Sequence, residues 1–435
     1  MLIRLTVENW KSFRDPVTFS MVATLERQYR KRLPTVRNMK LLPITAIYGG
    51  NASGKSNLVH ALSFIKNLVV KGTSPKKSIP VVPFRLDRES IEKPSKFQIA
   101  FVAGKSVYEY SFAVTRQHVV EEKLVEVLTK GDKILYDRQE GKYSFDPTLP
   151  DHESLKIIGN GTRDNQLYLS NSVSQNQKQF LPVYEWFEGS LLVIGPEQSF
   201  LSMDQMIEGF DDLPEFAKEM LQRLDTGISR LESETIPYDN APIPKYIKEK
   251  VFSELADGDT ENIGGPSVGH RYILRRKEGE NIIEKVVSYH GSPDGIEVKF
   301  DLMHESDGTL RLIDLLPAFS LLINNKINKV VIIDELDRSL HTLLTRSLLE
   351  EYLQHCSPES GNQLIFTTHD VMLMDQSMLR RDEMWVTERD DTGNTTLFSF
   401  SDYKDVRYDK DVRKSYLLGR MGGVPRILFI KMRNS

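Results

Sequence analysis

Gly49-Gly50-Asn51-Ala52-Ser53-Gly54-Lys55-Ser56 fits the pattern G-x-x-x-x-G-K-[ST]. An apolar, strand-like stretch at 44–48 precedes it. A helical pattern follows, with Leu58, Ala61, Leu62, Ile65, Leu68 and Val69 on one face. Strand, Gly-rich loop and helix in this order form a phosphate cradle. The glycines let the loop wrap closely, so successive backbone N–H groups point at α/β-phosphates, and the start of the helix adds its positive dipole end. Lys55 is expected to reach β/γ-phosphates. Ser56 is expected to offer its hydroxyl to Mg2+, a hard cation that prefers oxygen. Gly49, Asn51, Ala52, Ser53, Gly54 and Asn57 complete the expected contacts of the loop.

Three later stretches have matching chemistry. Val330-Val331-Ile332-Ile333-Asp334-Glu335 reads as a buried strand ending in two acids. A carboxylate there is costly unless it meets a cation. Asp334 is therefore the candidate metal residue, binding directly or through water, and Glu335 the candidate base that positions an attacking water. Leu364-Ile365-Phe366-Thr367-Thr368-His369 reads as another buried strand, ending in a His that can reach a γ-phosphate. Ser306-Asp307-Gly308-Thr309-Leu310-Arg311 opens a strong helix, with Ser306 or Asp307 as its N-cap. A helix start of this kind is an anion site.

Strands alternating with helices in the first and last parts of the chain imply a largely parallel sheet covered on both faces. The expected class is α/β, with a mostly parallel core sheet, an antiparallel β subdomain and a helical insertion. Residues 1–70 would hold the first half of the core and 71–203 a β-rich subdomain that returns to it. Residues 204–299 would form a helical or irregular insertion, with helix near 213–231, a flexible loop at 256–268 and strand-like pieces at 272–275 and 282–289. Residues 300–435 would form the second half of the core. Within this plan, 96–147 reads as a β-meander.

A net charge of −4 and a pI near 6.2 argue against a nucleic-acid coat or a polybasic membrane anchor. The charge is uneven: residues 1–80 carry 14 Lys and Arg against 3 Asp and Glu. The cluster Arg27, Arg30, Lys31, Arg32, Arg37 and Lys40 could meet phosphates of a nucleotide, RNA or DNA, or it could be a solvated loop. The single Cys356 excludes an internal disulfide or a CxxC metal site. No signal peptide and no apolar run near the roughly 18 residues of a membrane span appear. The expected location is the cytoplasm.

The order of motifs resembles the heads of the ABC/SMC/DNA-repair superfamily: Walker A, long insertion, signature, Walker B, D-loop and His switch. Here these are 49–56, 306–311, 330–335, Leu336-Asp337-Arg338-Ser339-Leu340-His341 and 364–369. The opening Asn9-Trp10-Lys11-Ser12-Phe13 resembles the start of such heads, which implies that Lys11 lies near the nucleotide. The resemblance implies ATP as ligand and substrate, and Mg2+ as cofactor. It also implies a homodimer or larger assembly in which Ser306 and Gly308 act on nucleotide held by a partner's Lys55, and it adds Asp337 of the D-loop to the nucleotide-binding residues. The Q-loop glutamine would be Gln166 or Gln198.

The block at 48–58 and the tail Tyr416-Leu417-Leu418-Gly419-Arg420-Met421-Gly422-Gly423-Val424-Pro425 are closer to a narrower group. They look like prokaryotic anti-phage defence ATPases of the RloA/AbiL type, related to those of OLD nucleases and the PARIS system. About 65 residues follow His369, too few for a further domain of ordinary size. A nuclease or toxin effector is therefore expected as a separate protein. The alternative reading is an SMC-like DNA repair or chromosome-maintenance ATPase that binds DNA.

Overall fold

The strand Ile44–Tyr48 is buried at all five positions. So are Val330–Ile333 and Gln363–Thr367. Continuous apolar strands of this kind suit the inside of a parallel sheet covered on both faces, and that is where they stand. The computed structural model describes residues 1–196, 215–224, 226–263, 272–324, 326–403 and 411–424. Two units emerge: Met1–Val193 with Asn325–Leu336 and Leu353–Ser435, and Ile194–Asn324 with Asp337–Tyr352.

The first unit contains two large sheets. Its six-stranded sheet runs in the order Leu191–Ile194, Val330–Ile333, Gln363–Thr367, Ile44–Tyr48, Met384–Arg389, Thr395–Ser399. The middle four strands pair in parallel, and the last two form an antiparallel hairpin. Ile333 lies opposite Phe366, and Thr367 opposite Ile47. The chain therefore leaves three adjacent strands at one edge, where residues 49, 334 and 368 begin. The carboxyl edge of a parallel sheet is where ligands bind in open α/β folds.

The seven-stranded sheet holds the meander expected over 96–147, five strands from Ser95–Ala103 to Lys142–Phe145, with Leu2–Glu8 and Val17–Ser20 added at one end. Leu5, Val7, Phe97 and Ile99 alternate inward and are buried. Trp10, Phe64 and Phe97 form a tilted aromatic group with centroids 4.9 to 5.3 Å apart. It ties this sheet to the helix Lys55–Val70 that follows the Gly-rich loop. The expected α/β class holds.

The second unit corrects the expectation of a helical or irregular stretch over 204–299. It carries a five-stranded antiparallel sheet: Ile228–Ile236, Glu280–Gly291, Tyr272–Lys277, Thr260–Ile263, and Glu297–Asp301 beside Glu280–Gly291. The helix expected near 213–231 covers Glu215–Arg223 and then gives way to a strand. The strand-like pieces at 272–275 and 282–289 fall in Tyr272–Lys277 and Glu280–Gly291. Ile228–Ile236, by contrast, gives no two-residue alternation: Ile228 and Leu231 are buried three positions apart, with a register shift between Ile228 and Arg230, and the neighbours Glu234 and Thr235 are both exposed. Part of the loop expected at 256–268 is the strand Thr260–Ile263, and 264–268 lie outside the described residues. The signature helix, expected with the C-terminal half of the core, belongs to this unit.

That helix, Asp307–Ile323, begins as expected. The Ser306 hydroxyl accepts a hydrogen bond from the Thr309 N–H at 3.1 Å. Gly308 has a packing reason of its own: a Cβ there would sit 2.8 Å from the Ser339 carbonyl oxygen. Gly308→Ala should therefore destabilise the protein. Helix propensity favours Ala by up to about 1 kcal/mol, but overpacking against backbone costs about 1–3 kcal/mol. A lower urea midpoint is the expected result; an equal or higher one would mean that the 337–341 turn yields freely.

Candidate functional site

The Gly-rich loop connects Tyr48 to the helix at Lys55. Gly54, the residue before the helix, has φ +111°, a left-handed conformation that favours glycine. Ala52 adopts φ +60° without that freedom. Such strain persists only where the surroundings enforce it, and it clusters at functional sites. Behind the loop, Thr395 Oγ1 donates to the Ser53 carbonyl at 2.9 Å, and the Ser53 and Thr387 hydroxyls pair at 2.6 Å.

Lys55 is buried, and its Nζ donates to the carbonyls of Gly49 (2.8 Å) and Gly50 (3.3 Å). His369 Nδ1 lies 3.5 Å from that ammonium. Ser56 Oγ donates to Asp334 Oδ1 at 3.2 Å, and Thr367 Oγ1 donates to the same oxygen at 2.6 Å. Asp334 is only 2% exposed. Its hydroxyl partners do not neutralise a buried carboxylate, so the chemistry of this pair suits a divalent cation. Among the described residues no group of three His, Cys, Asp or Glu is placed to hold a metal. Mg2+ needs none when phosphate oxygens and water fill its other positions.

Glu335 also has a left-handed backbone, φ +51°, and its N–H donates to Thr367 Oγ1 at 2.8 Å. Thr367 thus orders both acids, accepting from one residue's amide and donating to the other's carboxylate. The sequence reading gave it no role. A hydroxyl at the end of the strand beside Asp334 was the available signal.

Lys11, Asn51, Ala52, Ser53, Gly54, Lys55, Ser56, Asn57, Glu335 and His369 line one cleft of about 750 Å3, a size suited to a small organic ligand. Gly49 and Asp334 meet it through Lys55 and Ser56. Lys11 Nζ lies 2.7 Å from His60 Nδ1. Burial lowers the Lys11 pKa, opposed by the Asp334 charge; burial and then the Lys11 charge lower that of His60. The far wall of the cleft is 82–86 with Arg389 and Gly393, to which the sequence reading assigns no role.

Other candidates stand elsewhere. Ser306, Gly308 and Asp337 belong to the second unit. Gln166 does not line the cleft; its carbonyl accepts from Arg138 at 2.7 Å beside the meander. Gln198 lies outside the described residues. One member of the basic cluster is internal, Arg32, which pairs with the buried Glu383; the exposed Arg37 donates to the Val127 and Lys105 carbonyls. Arg30 likewise donates to the Glu26 and Leu25 carbonyls. Among the described residues no helix is long and apolar enough to cross a membrane.

No curated protein matches the chain by sequence. Among solved structures it is similar to the SMC head domain from Thermotoga maritima, at 14% identity and TM-score 0.36, covering 92% of this chain and 98% of that one. It is also similar to an SmcHead bound to the C-winged helix domain of ScpA, at 15% identity and TM-score 0.35, covering 92% and 97%. Residues 44–375 match the family described as "AAA domain, putative AbiEii toxin, Type IV TA system". That match takes in the Gly-rich loop, both strand-end acids and His369, and the chain belongs to this AAA-domain family of P-loop ATPases.

Proposed function

We propose that the chain binds and hydrolyses ATP with Mg2+, and that it works as a nucleotide-sandwiched dimer or larger assembly controlling a separate effector in anti-phage defence. One observation carries the chemistry. Lys55, Ser56, Asp334, Glu335 and His369 converge at the ends of three neighbouring parallel strands around one cleft. The loop amides and Lys55 hold the β- and γ-phosphates. Ser56 and Asp334 would hold Mg2+, which when bound neutralises charge on the phosphate oxygens. Glu335 takes a proton from water as the water oxygen bonds to the γ-phosphorus. The bond from that phosphorus to the β–γ bridging oxygen breaks, and ADP leaves with the electron pair. His369, beside Lys55, faces the γ-phosphate.

The capped helix start at Ser306 is exposed. It supports closure on a second copy, since a helix N-terminus attracts a phosphate. The family description names a type IV toxin–antitoxin system. Together with the resemblance at 48–58 and 416–425, it supports a defence setting and a separate effector. The DNA-repair reading would use the basic stretch near residue 30, where Arg32 is buried against Glu383 while Arg27, Arg30, Lys31, Arg37 and Lys40 stay exposed.

The assembly is tested by particle mass with and without MgATP. The mass should double, or rise further, with nucleotide, and Ser306→Arg should keep ATP binding but stay at the nucleotide-free mass. A Ser306→Arg protein that assembles like the wild type would remove the closure in trans.

A further inference from the structure

We infer that Tyr416–Gly423 is a brace that sets the phosphate loop for ATP, with Tyr416 and Gly423 as positioning residues; the inference rests on the nucleotide reading above. The peptide joining Gly49 to Gly50 is planar, so its C=O and N–H point in opposite directions and turn together. Its carbonyl accepts from Lys55 Nζ at 2.8 Å. Its N–H donates to the Gly423 carbonyl at 3.0 Å. One rigid group is therefore held at one end by the phosphate-binding lysine and at the other by residue 423. Releasing either end frees the other to rotate.

The brace is itself fixed. The Gly423 carbonyl also accepts from Tyr416 Oη at 2.9 Å, a buried hydrogen bond. Tyr403 Oη donates to the Met421 carbonyl at 2.9 Å, anchoring the same turn. Gly423 has φ +71°, and a Cβ on it would fall 2.1 Å from Val386 Cγ1. Both observations require glycine at 423. The Lys55 ammonium also reaches the Gly50 carbonyl at 3.3 Å. Orientation at residues 49 and 50 therefore determines where the charge stands when a triphosphate arrives.

The test uses the full chain, a fluorescent ATP analogue, turnover at saturating ATP and the melting temperature. Tyr416→Phe removes one oxygen and should weaken analogue binding and raise KM for ATP about five-fold, the worth of one hydrogen bond. Its turnover at saturation should remain near wild type, because the base and the metal residues are untouched. Gly423→Ala should weaken binding more. If Gly423→Ala does not fold, Tyr416→Phe decides alone. Wild-type analogue affinity and KM in Tyr416→Phe would overturn the inference, even if the melting temperature falls, because a purely structural role would move only the latter. A folded wild-type chain that binds no analogue would instead overturn the nucleotide reading, and this inference with it.

Discussion

Glu335→Gln should bind ATP with near wild-type affinity and turn it over about 100- to 10,000-fold more slowly, the range expected when a general base is removed. The substitution keeps the side chain's size and reach and removes its negative charge, and with it the ability to take a proton. It also leaves the backbone arrangement alone: the 335 N–H still donates to Thr367 Oγ1, and the φ of +51° is met by Gln as by Glu. Asp334 and Ser56 keep their contact at 3.2 Å, so the metal residues stay in place. Binding and chemistry should therefore separate. Because hydrolysis would end the sandwiched state, the variant should accumulate the ATP-dependent assembly that the wild type forms transiently. Phosphate release and particle mass on one preparation would check both. Wild-type turnover would assign the base elsewhere, and slow turnover without accumulation would count against closure driven by nucleotide.

The parts of the site that could be read in the sequence are those where a backbone requirement leaves a chemical trace. A phosphate cradle needs glycines and a lysine at fixed spacing, and 49–56 show it. A strand buried on both faces must be apolar throughout, so the two acids after Ile333 stood out against it. Supporting contacts leave no such trace. Thr367 looks like any strand threonine until its hydroxyl is found between Asp334 and the Glu335 amide. The His60 partner of Lys11 is 49 positions away, and nothing local marks it.

The second unit is legible only in part for a related reason: 272–275 and 282–289 read as strand, and Ile228–Ile236 does not. The residues of that strand carry charge, with Arg230 paired to Glu232 two positions along it and to Glu297 on another strand of the sheet. They lack the two-residue alternation that marks a strand. The basic cluster near residue 30 shows the converse. Charge counted along the chain predicts a surface, and Arg27, Arg30, Lys31, Arg37 and Lys40 are exposed, but Arg32 is held by Glu383, whose carboxyl burial pushes up to about 7 against the pull of Arg32. Composition records how many charges there are and not where they point.

Lys55→Ala should abolish useful ATP binding, weakening it by about 100-fold or more. A charge-assisted hydrogen bond contributes roughly 1.5–3 kcal/mol, and Lys55 is placed to make more than one with the β- and γ-phosphates. Its ammonium is buried and held against two loop carbonyls, so it is aimed before any ligand arrives. That preorganisation is what alanine removes, along with the charge. The fold should survive, because the loop keeps its bonds from Thr395 and Thr387. Titration calorimetry with ATP and Mg2+ would measure the loss, and a thermal melt would show that it is not unfolding. Lys55→Arg should not restore binding, since a planar guanidinium cannot occupy the position of a compact ammonium between two carbonyls. Retained affinity in Lys55→Ala would mean that triphosphate does not sit in this loop, and the roles of Ser56, Asp334 and Glu335 would fall with it. Lost affinity together with a normal melt would leave the cradle as the only place where the triphosphate is gripped, and Glu335→Gln then reports on chemistry alone.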